Sequence, residues 1–262
     1  MSDVNLTHSL AAQFSIKGKR VLYTGAAGGL GRETTLEILA LGASVVAIDN
    51  DTRKIAELRN ATPEHLQSQL EIIELDLADH QVLEQQLGEL VKERPIDVVI
   101  NNAAIYPCKP FEDFTIEEMR NVHAVNVEAA LICTRIALPG MRDQKWGRII
   151  NISSITLSGG WEQLAPYVQS KGALVGLTRA WAREFGKWGI TCNTISPGAF
   201  PTDAEKIHDN SEQYAQFVLD HQSIKRRGCA TDIASVILFL ASDASSFITG
   251  QDIAVDGGWV MR

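Results

Sequence analysis

A chain of 262 residues with 45% hydrophobic content is large enough to bury a sheet within one α/β domain, and a single domain over residues 1–262 is expected. Its formal net charge of -8 and pI near 5.3 argue against a nucleic-acid polyanion or an anionic membrane surface as the main partner and favour a small molecule. Cys108, Cys133, Cys192 and Cys229 lie far apart, with no CxxC pair and no paired histidines at ligand spacing, so neither a metal site nor a structural disulfide is expected.

The opening stretch, MSDVNLTHSLAAQFSIKGKR, lacks a charged start followed by an apolar run of signal-peptide length. No unbroken run of about 18 apolar residues occurs anywhere, and a cytoplasmic, membrane-free protein is expected. Short β-branched runs predict seven strands at 20–24, 44–48, 71–75, 97–101, 148–152, 190–195 and 252–255. Between them, helical patterns cover 31–41, 52–60, 79–93, 115–141, 166–187 and 231–241. Apolar strands alternating with helices predict a doubly wound, seven-stranded parallel sheet covered on both faces, a Rossmann fold whose ligand crevice lies beyond the strands' carboxyl ends. The irregular segment 198–228 interrupts this pattern after the sixth strand and is expected to form a substrate-covering lobe.

After the first strand comes TGAAGGLG, Thr24 to Gly31, leading directly into a helix. Gly25, Gly29 and Gly31 let the backbone approach a ligand closely, and the helix amino terminus offers unpaired N–H groups to a pyrophosphate. Asp49 closes the second strand, where a carboxylate can accept hydrogen bonds from ribose hydroxyls and repel a 2′-phosphate, so NAD is favoured over NADP. No Arg or Lys occupies 47–52 to offset that repulsion. In AIDNDTRK, Asp49, Asn50 and Asp51 could each equally cap the next helix. Asp76 follows the third strand, and Asn101 and Asn102 close the fourth; all three are turn formers that also stand where adenine and ribose contacts are expected.

In YVQSK, Tyr167 to Lys171, a tyrosine and a lysine four residues apart share one helix face. A tyrosine with a reference pKa of about 10 is a poor base at neutral pH, and a nearby ammonium favours its phenolate.

Together TGAAGGLG, NNAA at 101–104, INISS at 150–154, YVQSK, SPGAFPT at 196–202 and ITGQDIAVDGG at 248–258 resemble the short-chain dehydrogenase/reductase family over essentially the whole chain. Ala104 stands where that family usually has glycine. The resemblance implies a catalytic tetrad of Asn126, Ser154, Tyr167 and Lys171, with Tyr167 the base, Ser154 bonded to the reacting oxygen, and Asn126 anchoring a proton-relaying water. It implies cofactor contacts from Gly25, Gly28, Gly29, Leu30, Gly31, Asp49, Asp76, Leu77, Asn102, Ala103, Tyr167, Lys171, Pro197, Gly198 and Thr202. Strand order 3-2-1-4-5-6-7 and a homotetramer are implied as well.

Substrate contacts are expected from Ser154, Tyr106, Lys109, Trp161 and Tyr167, with Tyr214 as a further wall and Lys206 and His208 as further polar contacts. Such a mixed pocket suits a sugar, polyol or other small hydroxylated compound, anionic ones included. Two alternatives stay open: a 3-oxoacyl thioester reductase, and a catalytically silent nucleotide-binding regulator.

Overall fold

The β-branched runs pair into one parallel sheet in the order β3-β2-β1-β4-β5-β6-β7. The computed structural model describes residues 10–203, 205 and 210–261. The strands are β1 (Arg20–Thr24), β2 (Ser44–Asp49), β3 (Leu70–Glu74), β4 (Val98–Asn101), β5 (Gly147–Ile152), β6 (Ile190–Pro197) and β7 (Asp252–Val255). Their helices are α1 (Leu10–Gln13), α2 (Gly29–Ala40), α3 (Thr52–Ala61), α4 (His80–Glu93), α5 (Ile116–His123), α6 (Ala129–Gln144), α7 (Thr156–Gly159), α8 (Ala165–Phe185), α9 (Ser211–His221) and α10 (Ala230–Ala241). The expected strands and the expected order are both present. The short helices α1 and α7, and α9 inside the 198–228 segment, were not expected.

Alternation along the strands explains why both faces are covered. Val21, Tyr23, Val45, Ala47, Val98 and Ile100 point to one side and pack with Ile38 and Leu39 of α2 and Ile233, Ile237 and Leu240 of α10. Leu22, Val46, Ile48, Val99 and Ile149 point to the other and pack with Leu83 and Leu87 of α4, Cys133 and Met141 of α6, and Trp181 and Phe185 of α8. Parallel strands buried on both faces read as continuous apolar runs, which is how these strands read in sequence.

The amino-terminal caps settle one open assignment. Asp51, rather than Asp49 or Asn50, caps α3, its Oδ1 accepting from the Lys54 N–H at 3.0 Å. Thr115 and Glu118 form a reciprocal capping box at the start of α5.

The helix expected over 115–141 is present but not uniform: α5 and α6 are joined by a π-helical stretch, Ala124–Glu128. One extra residue in a turn rotates the neighbouring side chains, and such stretches often stand at functional positions. The combined helix, Ile116–Gln144, is long and apolar enough by composition to cross a bilayer, but half of its most apolar window is buried, consistent with its packing on α4, β4 and β5 as a core helix.

Candidate active site

At the carboxyl ends of the strands lies a cavity of about 460 Å3, lined by the glycine loop, the ends of β2 to β6 and the segment after β6. A doubly wound sheet opens there because the loops leaving β1 and β4 diverge to opposite faces.

The glycine loop is tight at two points. Gly25 has φ +67°, and a Cβ there would meet the Asn102 side chain at 2.8 Å. A Cβ on Gly31 would lie 2.1 Å from the Gly25 carbonyl oxygen. Gly28 begins α2 without any side-chain cap, so the first N–H groups of that helix are left for a ligand. Asn102 is a strut beneath the loop: its amide donates to the carbonyls of Thr24 and Gly25, both at 3.1 Å, while its own N–H donates to Thr24 Oγ1.

Asp49 sits beside this loop with its carboxylate oriented by backbone alone. Oδ2 accepts from the Ala27 N–H at 3.0 Å, and Oδ1 accepts from Asn50 and Asp51 at 2.9 and 3.2 Å. Asp76 and Leu77 also line the cavity, with Asp76 closing its turn onto the Ala78 N–H. Asn101 does not line it. Its side chain is buried in the sheet and donates to Asn151 Oδ1 at 2.8 Å, where a polar ladder continues through Thr178 to Thr194.

Four catalytic candidates converge at the far end. The β5–β6 ladder runs past the strands, with Ser153 N–H donating to Ile195 and Ile155 N–H to Pro197, which holds Ser154 in place. The Ser154 hydroxyl stands beside that of Tyr167 and favours its phenolate. Tyr167 is nevertheless pushed up to about 12, because desolvation penalises the phenolate more than Ser154 favours it. Lys171 is fully buried on α8; its Nζ lies 5.3 Å from the Tyr167 ring centroid and donates to the Ile152 carbonyl at 2.7 Å. Burial alone draws its pKa down to about 7. The expected lowering of Tyr167 by the lysine is therefore absent from the protein by itself, since desolvation weakens both charged forms at once.

Asn126 lies in the π-helical stretch, and its side chain is spent on protein partners. Its Oδ1 accepts from the Ile105 N–H at 2.8 Å, and its Nδ2 donates to the Ile105 carbonyl and to Ser170 Oγ, both at 3.0 Å. It thus ties the loop after β4 to α8, one residue before Lys171.

Among the expected substrate contacts, Tyr106, Trp161 and Tyr214 line the cavity, and Tyr106 meets Tyr167 edge to face at 6.1 Å. Trp161 folds back over Gly159, where a Cβ would collide with its ring. Lys109 is placed differently: it does not line the cavity, and its ammonium is held by both Glu118 oxygens at 2.6 and 2.8 Å. Lys206 and His208 lie outside the described residues. Pro197, Gly198 and Thr202 line the cavity as expected, and a Cβ on Gly29 would lie 2.8 Å from Thr202 Cγ2, so the segment after β6 rests on the glycine loop. Sequence reasoning missed Trp259, whose ring packs edge-on against Trp161 at 5.6 Å, and Lys54 and Asp203 at the Asp49 end. An isolated tryptophan near the carboxyl terminus carries no spacing signal that would have pointed to it.

A doubly wound sheet with a glycine loop after β1 and a Ser–Tyr–Lys cluster after β5 defines an oxidoreductase of the nicotinamide-dependent class. A family model described as enoyl-(acyl carrier protein) reductase matches residues 25–260. The chain is 32% identical over 249 residues to 2-dehydro-3-deoxy-D-gluconate 5-dehydrogenase of Bacillus subtilis, covering 95% of this chain and 97% of that one. It is 34% identical over 248 residues to the 3-oxoacyl-acyl-carrier-protein reductase of Thermotoga maritima, covering 94% and 99%. A crystal structure from Beutenbergia cavernae, of a protein provisionally assigned as an NAD(P)-dependent gluconate 5-dehydrogenase and holding NADP at low occupancy, superposes with a TM-score of 0.87 at 33% identity, covering 94% and 98%. The chain belongs to the short-chain dehydrogenase/reductase family.

Proposed function

We propose that this protein is an NAD-dependent dehydrogenase that interconverts a sugar, polyol or other small hydroxylated compound, sugar acids included, with its carbonyl form. The observation that carries the cofactor choice is the Asp49 carboxylate, fixed at the cavity wall by three backbone amides. Oδ2, which accepts only the Ala27 N–H, keeps a lone pair for a ribose hydroxyl, and the charge opposes a 2′-phosphate. The glycine loop fits a dinucleotide, because Gly25, Gly28 and Gly29 line the cavity and the first turn of α2 turns its uncapped N–H groups to it. When bound, the nicotinamide supplies the hydride acceptor or donor.

The protein's own part is proton handling and orientation. Ser154 donates a hydrogen bond to the reacting oxygen, and Tyr167 exchanges the proton with it. Lys171 stands behind Tyr167, and Asn126 positions both through Ile105 and Ser170. Aromatic walls from Tyr106, Trp161, Tyr214 and Trp259 suit the C–H faces of a carbohydrate or polyol. The sugar-acid dehydrogenases among the relatives support this substrate class. The T. maritima relative supports a second reading, reduction of a 3-oxoacyl thioester.

Turnover measured on sugars, sugar acids, polyols and 3-oxoacyl thioesters with both cofactors separates the two. The expected result is oxidation of a hydroxylated substrate with kcat/KM at least about tenfold higher for NAD than for NADP, on the order of one pKa unit of charge interaction. Turnover confined to the thioester with NADPH overturns it.

The half-buried Tyr167 also sets a pH dependence. Its proton is held more tightly than in water, so the phenolate needed for oxidation grows with every unit of rising pH, while the phenol needed for reduction is already present at neutrality. Oxidation should be at least about tenfold faster at pH 9 than at pH 6, and reduction should not rise. Initial rates in both directions across that range check it, and a flat oxidation profile rejects Tyr167 as the base.

A further inference from the structure

Lys54, in the first turn of α3, brings an ammonium to the cavity wall at the Asp49 end. Its Nζ lies 2.8 Å from Asp203 Oδ2 and 3.8 Å from Asp51 Oδ2. The hydrogen bond to Asp203 is the main reason its pKa stands above the ordinary lysine value. Asp203 comes from the other side of the molecule's sequence, next to Thr202 on the glycine loop, so the ion pair joins α3 to the segment after β6 along the cavity.

This corner therefore holds the carboxylates of Asp49, Asp51 and Asp203 around Lys54. The two nicotinamide dinucleotides differ by a 2′-phosphate, which brings about -1.5 to -2 charge. A phosphate arriving at Asp49 would find a cation within the same wall, but one whose charge is directed at Asp203.

We propose that Lys54 is a latent 2′-phosphate ligand kept silent by Asp203, so that selectivity between the two dinucleotides is set by a residue of the substrate lobe as well as by Asp49. The inference rests on reading the cavity as a dinucleotide site with its ribose end at Asp49. It also makes the Asp49 criterion incomplete, because the decisive cation is five residues further on and its partner lies on a distant segment.

Calorimetric titration of NADH and NADPH, without substrate, into the parent protein, Asp203→Asn, Lys54→Met and the double variant tests it. The ratio of the NADPH to the NADH dissociation constant should fall about fivefold in Asp203→Asn, the scale of one partly exposed charge interaction. That fall should vanish in the double variant, and Lys54→Met alone should not show it. A ratio unmoved by Asp203→Asn, in a parent that binds NADH, overturns the proposal. So does a fall that persists in the double variant, because it would belong to the Asp203 charge itself. A parent that binds neither dinucleotide overturns the cofactor reading beneath it, which is a different outcome from either.

Discussion

Tyr167→Phe should lower turnover about a thousandfold while leaving dinucleotide binding in place. The hydroxyl is the only group removed, and general acid–base catalysis contributes about 10²- to 10⁴-fold, or about 4 kcal/mol at the middle of that range. The ring stays, so its edge-to-face contact with Tyr106 and its place on α8 persist. Ser154 loses a neighbouring hydroxyl but keeps the Thr156 N–H that donates to its Oγ at 3.1 Å. The variant should therefore melt close to the parent. Steady-state rates with a working substrate, together with NADH titration, check the expectation. Equal turnover in the two proteins would reject the assignment of Tyr167, and equal inactivity in both across all substrates would favour a nucleotide-binding regulator.

Gly31→Ala should act on the other half of the site and through structure. The added Cβ would lie 2.1 Å from the Gly25 carbonyl oxygen and 2.9 Å from Ala26 Cα and carbonyl carbon. All three are backbone atoms of the loop itself, so no flexible side chain can yield. Overpacking of this kind costs about 1–3 kcal/mol, and the loop must shift to accept it. The melting temperature should drop by at least about 3 °C, and NADH binding should weaken by at least about tenfold. Gly88→Ala provides the contrast. It lies inside α4, nothing approaches its Cβ within 4 Å, and the exchange should stabilise the helix by up to about 1 kcal/mol. Differential scanning calorimetry and NADH titration on both variants check the pair. Unchanged binding in Gly31→Ala would remove the loop from the cofactor site.

The elements read from sequence are mostly those of the structure because their signals are local. A β-branched run of four to eight residues between helical patterns admits few other conformations, and the strand ends agree to within two residues. The glycine loop was legible for the same reason, since its spacing sits directly between β1 and α2. The Tyr167–Lys171 pair was legible from spacing within one helix, and Ser154 from the family resemblance, although the pKa values were not. Spacing places an ammonium beside a phenol; only the depth of burial decides that both are driven toward their neutral forms.

Other features depend on partners that no window of sequence contains. The pattern over 115–141 reads as an unbroken helix, and its π-helical turn coincides with Asn126, whose side chain is claimed by Ile105 and Ser170 from two other elements. Lys109 follows β4, where a substrate contact is expected, yet Glu118 in the first turn of α5 captures it.

By itself, then, the sequence determined the seven strands, their covered faces, the glycine cradle and the acidic end of β2, all of which rest on neighbours close along the chain. Only the tertiary structure decided which charges face the cavity. Asp51 takes the capping duty and leaves Asp49 to the cavity wall, Glu118 withdraws Lys109, and Asp203 reaches Lys54 from a segment far along the chain. The physical reason is range: backbone conformation is set within a few residues, whereas a side-chain charge is committed by whatever folding brings within about 4 Å of it.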